Sequence, residues 1–95
     1  MEKSTFTRLY AAFKKRLVQL RKRAGLTQRQ LAARLGRERS FVSRIEVGER
    51  RLDLIEFYWV ARACNENPAK EALRLMHELQ DLEKQESKAK RGRKR

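Results

Sequence analysis

Four residues in the stretch RSFVSR, which runs from position 39 to position 44, carry side chains suited to binding another molecule. They are Arg39, Ser40, Ser43 and Arg44. If the stretch is helical, at about 100° per residue, Val42 and Ile45 mark one side, Ser40, Ser43 and Arg44 turn away from it, and Arg39 lies to one side in the first turn, where side chains still reach forward. A guanidinium offers two parallel donors that match O6 and N7 of guanine. A serine hydroxyl serves donor and acceptor sites alike. A helix with this row suits a DNA major groove, and the bland alternative is a solvated charged face. Phe41 and Glu46 fall on the two boundaries of the helix. Phe41 either packs on the rim of a core or touches a thymine methyl.

A row of this kind needs elements that aim it. Apolar residues recur at spacings of three and four and almost never two, which predicts an all-helical chain. Phe6, Leu9, Tyr10, Phe13, Leu17, Leu20 and Ala24 trace one side of a first helix over residues 5–24, ended by Gly25. Thr27 with Gln30 forms a capping box that opens a second helix, whose buried stripe is Leu31, Ala32 and Leu35 and whose stop is Gly36. A third helix covers residues 39–47 and ends at Gly48. The connection between these two is so short that they must cross sharply.

Asp53 and Glu56 form a second capping box. The helix behind it is apolar nearly all round, from Leu54 to Cys64, a pattern expected at the centre of a core. Asn67-Pro68 opens a fifth helix. Its stripe of Ala72, Leu75, Leu79 and Leu82, with Leu73 and Met76 beside it, either completes the core or offers a dimer surface. This helix is expected to fray over residues 85–89, and residues 86–95 form a basic tail expected to be disordered when free.

The chain has 95 residues and a net charge of +13, enough for one compact domain. Such a charge repels itself unless an anionic partner offsets it. Nucleic acid is the leading candidate, and an anionic membrane surface is the rival. Residues 1–51 are strongly basic, whereas residues 52–67 hold Arg62 against Asp53, Glu56 and Glu66. The lone Cys64 reads as a small core residue and the lone His77 as a helix-surface residue. No metal site, cofactor or catalytic set is expected, because there is no paired carboxylate, Ser–His or Cys–His arrangement, or phosphate-cradling glycine loop. No leader peptide or apolar run of membrane-spanning length is recognised. The expected location is cytoplasmic, of a bacterial or phage-type, nucleoid-associated protein.

The stretch GLTQRQLAARLGRERSFVSRIEVGERR resembles the lambda repressor/Cro-like (Xre-type) helix-turn-helix regulators. With Gln28 as the first motif position, Leu31, Ala32, Leu35, Gly36, Val42 and Ile45 fall where that family has small or apolar residues. The flanks GLTQ and RIEVGER also match, and the resemblance covers residues 17–65. Arg37 departs from it, standing where the family has an aliphatic plug. Either its stem substitutes for the plug or it points toward phosphate.

The resemblance implies an all-α, five-helix lambda-repressor-like DNA-binding domain over residues 1–83, with an extended first helix and a fifth helix over 68–85. It implies base reading by the first residues of the third helix, here Arg39, Ser40 and Arg44 with Ser43 beside them. It implies phosphate contacts from Gln28, and from Arg50 and Arg51 in the loop after the third helix. Thr27 and Gln28 also stand at a helix start, where free N–H groups suit a phosphate. Arg29 is a further candidate there. By the same resemblance Glu46 pairs with Arg21 and braces the motif.

The function expected is a sequence-specific regulator of double-stranded DNA, a repressor acting as a homodimer on a pseudo-palindrome. The alternative is a protein-binding antitoxin or anti-activator using the same fold, with Phe6, Tyr10 and the leucine stripe as its surface. RNA is less suited because no aromatic stacking platform is seen. A membrane would need an apolar helix face that the core already uses.

Overall fold

The computed structural model describes the backbone of residues 3–93 and the side chains of residues 7–88. Five helices and no strand occur among the described residues: α1 (Lys3–Arg23), α2 (Gln28–Arg34), α3 (Ser40–Val47), α4 (Leu54–Ala63) and α5 (Pro68–Arg93).

Both capping boxes are formed. Thr27 Oγ1 accepts from the Gln30 N–H while Gln30 Oε1 accepts from the Thr27 N–H. Asp53 and Glu56 make the same exchange at α4, and Asn67 Oδ1 accepts from the Lys70 N–H at α5. Four helix ends close alike, each with two hydrogen bonds back into the last turn. At the α2 end, the Arg37 N–H donates to Ala32 O and the Gly36 N–H to Ala33 O. This closure puts one residue in the left-handed region. That residue is Gly25, Gly36, Gly48 or, after α4, Asn65 with φ 61°.

The core gathers Leu17 and Leu20 of α1, Leu31 and Ala32 of α2, and Phe41, Val42 and Ile45 of α3. Phe57, Val60 and Cys64 join from the α4 side, and Leu75 from α5. Burial of each large apolar side chain contributes about 1.5–3 kcal/mol. The Cys64 thiol is pushed above its ordinary pKa by that burial, so it stays protonated and fills space. His77 is exposed on α5.

α1 lies against α3 and α5, α2 against α3 and α4, and α4 against α5. The ion pairs Arg8–Glu86 and Arg16–Glu78 show that α1 and α5 run antiparallel. Between them Glu71 is 0% exposed. Arg74 Nη1 donates to its Oε2 at 2.5 Å, and Arg16 and Arg23 approach its other oxygen at 3.9 and 3.6 Å. A buried carboxylate is tolerated because cations surround it.

Two expectations are corrected, and one open alternative is narrowed. α4 is not buried all round: Leu54, Ile55, Tyr58 and Trp59 are exposed, and Phe57, Val60 and Ala61 face inward. The helix lies at the surface of the core, covered on one side. Of the α5 stripe, Leu75 is buried in the core and Ala72 and Leu79 pack against it, whereas Leu82 is half-buried outside that cluster and Leu73 and Met76 are exposed. α5 also continues to Arg93, past the stretch expected to fray. Its C-terminal half is rich in Lys, Glu and Arg, which are good helix formers. Glu86 ties that half to Arg8 of α1 at 3.0 Å. Positions 94 and 95 of the expected tail lie outside the described residues.

No helix among the described residues is long and apolar enough to cross a membrane.

Candidate nucleic-acid interface

α3 has two sides. Phe41, Val42 and Ile45 are buried, whereas Arg39, Arg44 and Val47 are exposed and Ser40 and Ser43 are half-buried. Helical hydrogen bonding begins at Ser40, one residue later than expected, so Arg39 occupies the N-cap. It makes no side-chain cap there, and its backbone is already helical (φ −53°, ψ −37°). Ser43 Oγ donates to Ser40 O at 3.0 Å, and Arg44 Nη2 donates to Ser40 Oγ at 3.2 Å. Arg44 also lies 3.8 Å from Glu38. Pairs this exposed are worth under about 1 kcal/mol, so the guanidinium can exchange them for a better acceptor.

The row is anchored through Glu46. Arg21 Nε donates to Glu46 Oε2 at 2.7 Å and Arg21 Nη2 to Oε1 at 3.0 Å. Gln28 Nε2 donates to the same Oε1 at 2.8 Å. Arg21 Nη1 donates in turn to Leu26 O at 3.0 Å. One carboxylate therefore ties α1, the start of α2 and α3 together. Its hydrogen bonds hold the Arg21 guanidinium charged, with its pKa raised. Gln28 meets Glu46 and stays at the mouth of α2, beside Thr27, whose hydroxyl serves the capping box. Arg29 is exposed on the next position of that helix.

The loop after α3 treats its two arginines differently. Arg50 Nη1 and Nη2 donate to Glu56 Oε1 and Oε2 at 3.0 and 2.7 Å. Its guanidinium lies 4.8 Å from the centre of the Phe41 ring. Arg37 stacks on the same ring at 4.1 Å and approaches Glu56 at 3.8 Å. This settles two residues that the sequence left open. Phe41 is 3% exposed and belongs to the core, and Arg37 lids it where the family has an aliphatic plug. The pairing lowers the Glu56 carboxyl below its ordinary pKa, chiefly through the hydrogen bonds from Arg50. Arg51 is exposed and stacks on Tyr10 at 4.4 Å, while the Tyr10 hydroxyl accepts from the Leu52 N–H at 3.3 Å.

Glu56, Glu38 and Tyr10 thus hold arginines of the candidate site without having been singled out for it. The capping box marked Glu56 but gave no sign of its second task. Tyr10 was one member of an apolar stripe, and Glu38 carried no spacing signal.

A family model described as a helix-turn-helix domain matches residues 15–73. A comparison with curated proteins found no match. Among solved structures, the chain is similar to an XRE-family like protein from Pseudomonas syringae pv. tomato str. DC3000. The two share 43% identity, with 79% of this chain and 92% of that one covered and a TM-score of 0.74. With five helices and a helix-turn-helix match over residues 15–73, the chain belongs to the Xre-type helix-turn-helix family of DNA-binding regulators.

Proposed function

We propose that the protein is a sequence-specific repressor that places α3 in the major groove of double-stranded DNA. The observation that carries this reading is the outward row on a helix locked to α1 and α2 through Glu46. Arg39, Ser40, Ser43 and Arg44 contact base edges, with the arginines suited to guanine. Thr27, Gln28 and Arg51 contact phosphates, which fix register without reading sequence. Arg50 is reassigned from phosphate to loop holder, because Glu56 takes both of its terminal nitrogens.

One short helix reads few base pairs. Two copies on half-sites about 34 Å apart would double the contact and match a pseudo-palindrome. Repression then follows from occupancy of the site.

The test is selection of bound duplexes from a random pool, followed by titration of the selected and a scrambled duplex. Arg44→Ala is expected to cost about 1–3 kcal/mol on the selected duplex and little on the scrambled one. Equal weakening of both would make Arg44 a phosphate or structural residue, and the proposed reading row would be wrong.

A further inference from the structure

Three carboxylates lie between Gln28 and Arg51. Glu46 is taken by the brace to Arg21 and Gln28. Glu38 and Glu49 are exposed, one just before α3 and one just after it. A negative charge so close to a phosphate backbone lowers affinity for every duplex. Glu38 differs from Glu49 in what it faces.

The backbone fixes where Glu38 stands. The Arg37 N–H donates to Ala32 O and closes α2, and the Phe41 N–H donates to Glu38 O at 3.0 Å as α3 begins. Phe41 is buried, so the Glu38 carbonyl is tied to the core while its side chain is 62% exposed. Its Oε1 lies 3.8 Å from Arg44 Nη2, the nitrogen that also donates to Ser40 Oγ at 3.2 Å.

Nη2 carries two hydrogens. Guanine O6 and N7 take one hydrogen each from two neighbouring nitrogens of the fork. Arg44 can supply them from Nη1 and Nη2 while the second Nη2 hydrogen stays with Glu38. The bond to Ser40 is the one given up, which frees that hydroxyl for a base of its own.

We propose that Glu38 is a positioning residue for sequence reading: it holds the Arg44 guanidinium edge-on to guanine and keeps it from phosphate. The proposal rests on the reading of Arg44 as a base contact. An unheld guanidinium gains from any phosphate in reach, which favours all duplexes alike. At a guanine the Glu38–Arg44 pair survives. At a phosphate it must break or bring a like charge along. Glu38 thus acts against the wrong duplex more than for the right one.

Titration of Glu38→Gln against the selected and the scrambled duplex tests this. The scale is that of an exposed ion pair: the scrambled duplex should be bound about threefold to fivefold more tightly. The selected duplex should be bound no more tightly than by the wild type, so the ratio between the two falls. Glu49→Gln removes the same charge beyond the other end of α3 and should tighten both duplexes equally. In an Arg44→Ala background, Glu38→Gln should also tighten both equally. Both carboxylates are exposed, so thermal melts by circular dichroism should show folded variants.

Equal tightening of both duplexes by Glu38→Gln makes it a general charge and overturns the proposal. So does a loss of ratio that persists without Arg44, or one that Glu49→Gln reproduces. Arg44→Ala alone keeps the two readings apart. If it weakens only the selected duplex and Glu38→Gln leaves the ratio unchanged, Arg44 reads bases unaided. If it weakens both duplexes equally, base reading by Arg44 itself fails.

Discussion

Two carboxylates organise the candidate site residue by residue. Glu46 accepts from Arg21 and Gln28, and its side chain is 9% exposed. Removing it leaves a part-buried guanidinium and an amide short of acceptors, which costs about 1–3 kcal/mol. Glu46→Ala should lower the urea midpoint accordingly. In a double-mutant cycle with Arg21→Ala, the coupling should be clearly positive; a coupling near zero would leave the brace without energetic content.

Glu56 makes a different prediction. Its folded pKa is depressed, so the charged form stabilises the fold at neutral pH. That contribution is lost as pH falls through the acid range below about 4.3, the ordinary glutamate value. Glu56→Gln should therefore flatten the acid limb of the stability curve in thermal melts. Parallel limbs would assign acid sensitivity to other carboxylates. The ties of Glu56 to Arg50 and Arg37 were hidden in the sequence, because they join residues whose meeting depends on how the loop folds. The approach of Arg21 to Glu46 was suggested by resemblance to a family, and spacing alone would not have found it.

At the scale of elements, the chain announces its helix starts and stops more clearly than its faces. Thr27 with Gln30, Asp53 with Glu56, and Gly25, Gly36 and Gly48 bound helices by local chemistry, which survives in any tertiary context. The fourth stop, Asn65, was missed because an asparagine is a weaker signal than a glycine for the same left-handed backbone. Faces were harder. α4 has apolar residues on nearly every side, so no periodicity separates Phe57 and Val60, which are buried, from Ile55 and Trp59, which are not. The extent of α5 was misjudged for the opposite reason: lack of apolar residues was read as loss of helix, although its Glu and Lys residues favour one.

The turn between α2 and α3 gives the sharpest element-scale test. Gly36 has φ +67°, and a Cβ built there meets nothing within 4 Å. Any cost of Gly36→Ala is therefore backbone conformation alone, about 1–2 kcal/mol. Gly36→Asn should cost less, since asparagine tolerates this region better. Chemical denaturation should rank the three as Gly, Asn, Ala. A much larger loss for alanine would mean that the turn reorganises.

For the whole molecule, charge is arranged by region. The segment 52–77 is nearly neutral, residues 78–87 hold four carboxylates against Lys84, and the remainder is strongly basic. That remainder includes Lys88, Lys90, Arg91, Arg93, Lys94 and Arg95 at the far end of the chain from α3 in sequence. α5 is 26 residues long, about 39 Å at 1.5 Å per residue. Its basic end is therefore carried well away from its start at Pro68, and none of its cations belongs to the reading row. Cations that meet phosphate release counterions, and each lowers the slope of log K against log salt by about 0.9. Those that read bases change which sequence is preferred.

The two effects can be separated in one set of titrations. Deleting residues 88–95 should make the salt dependence shallower while the selected sequence stays the same. Arg44→Ala should alter sequence preference with little change in slope. If the deletion changed the preferred sequence, the basic end would be a reader, reaching a groove of its own beside the one proposed for α3.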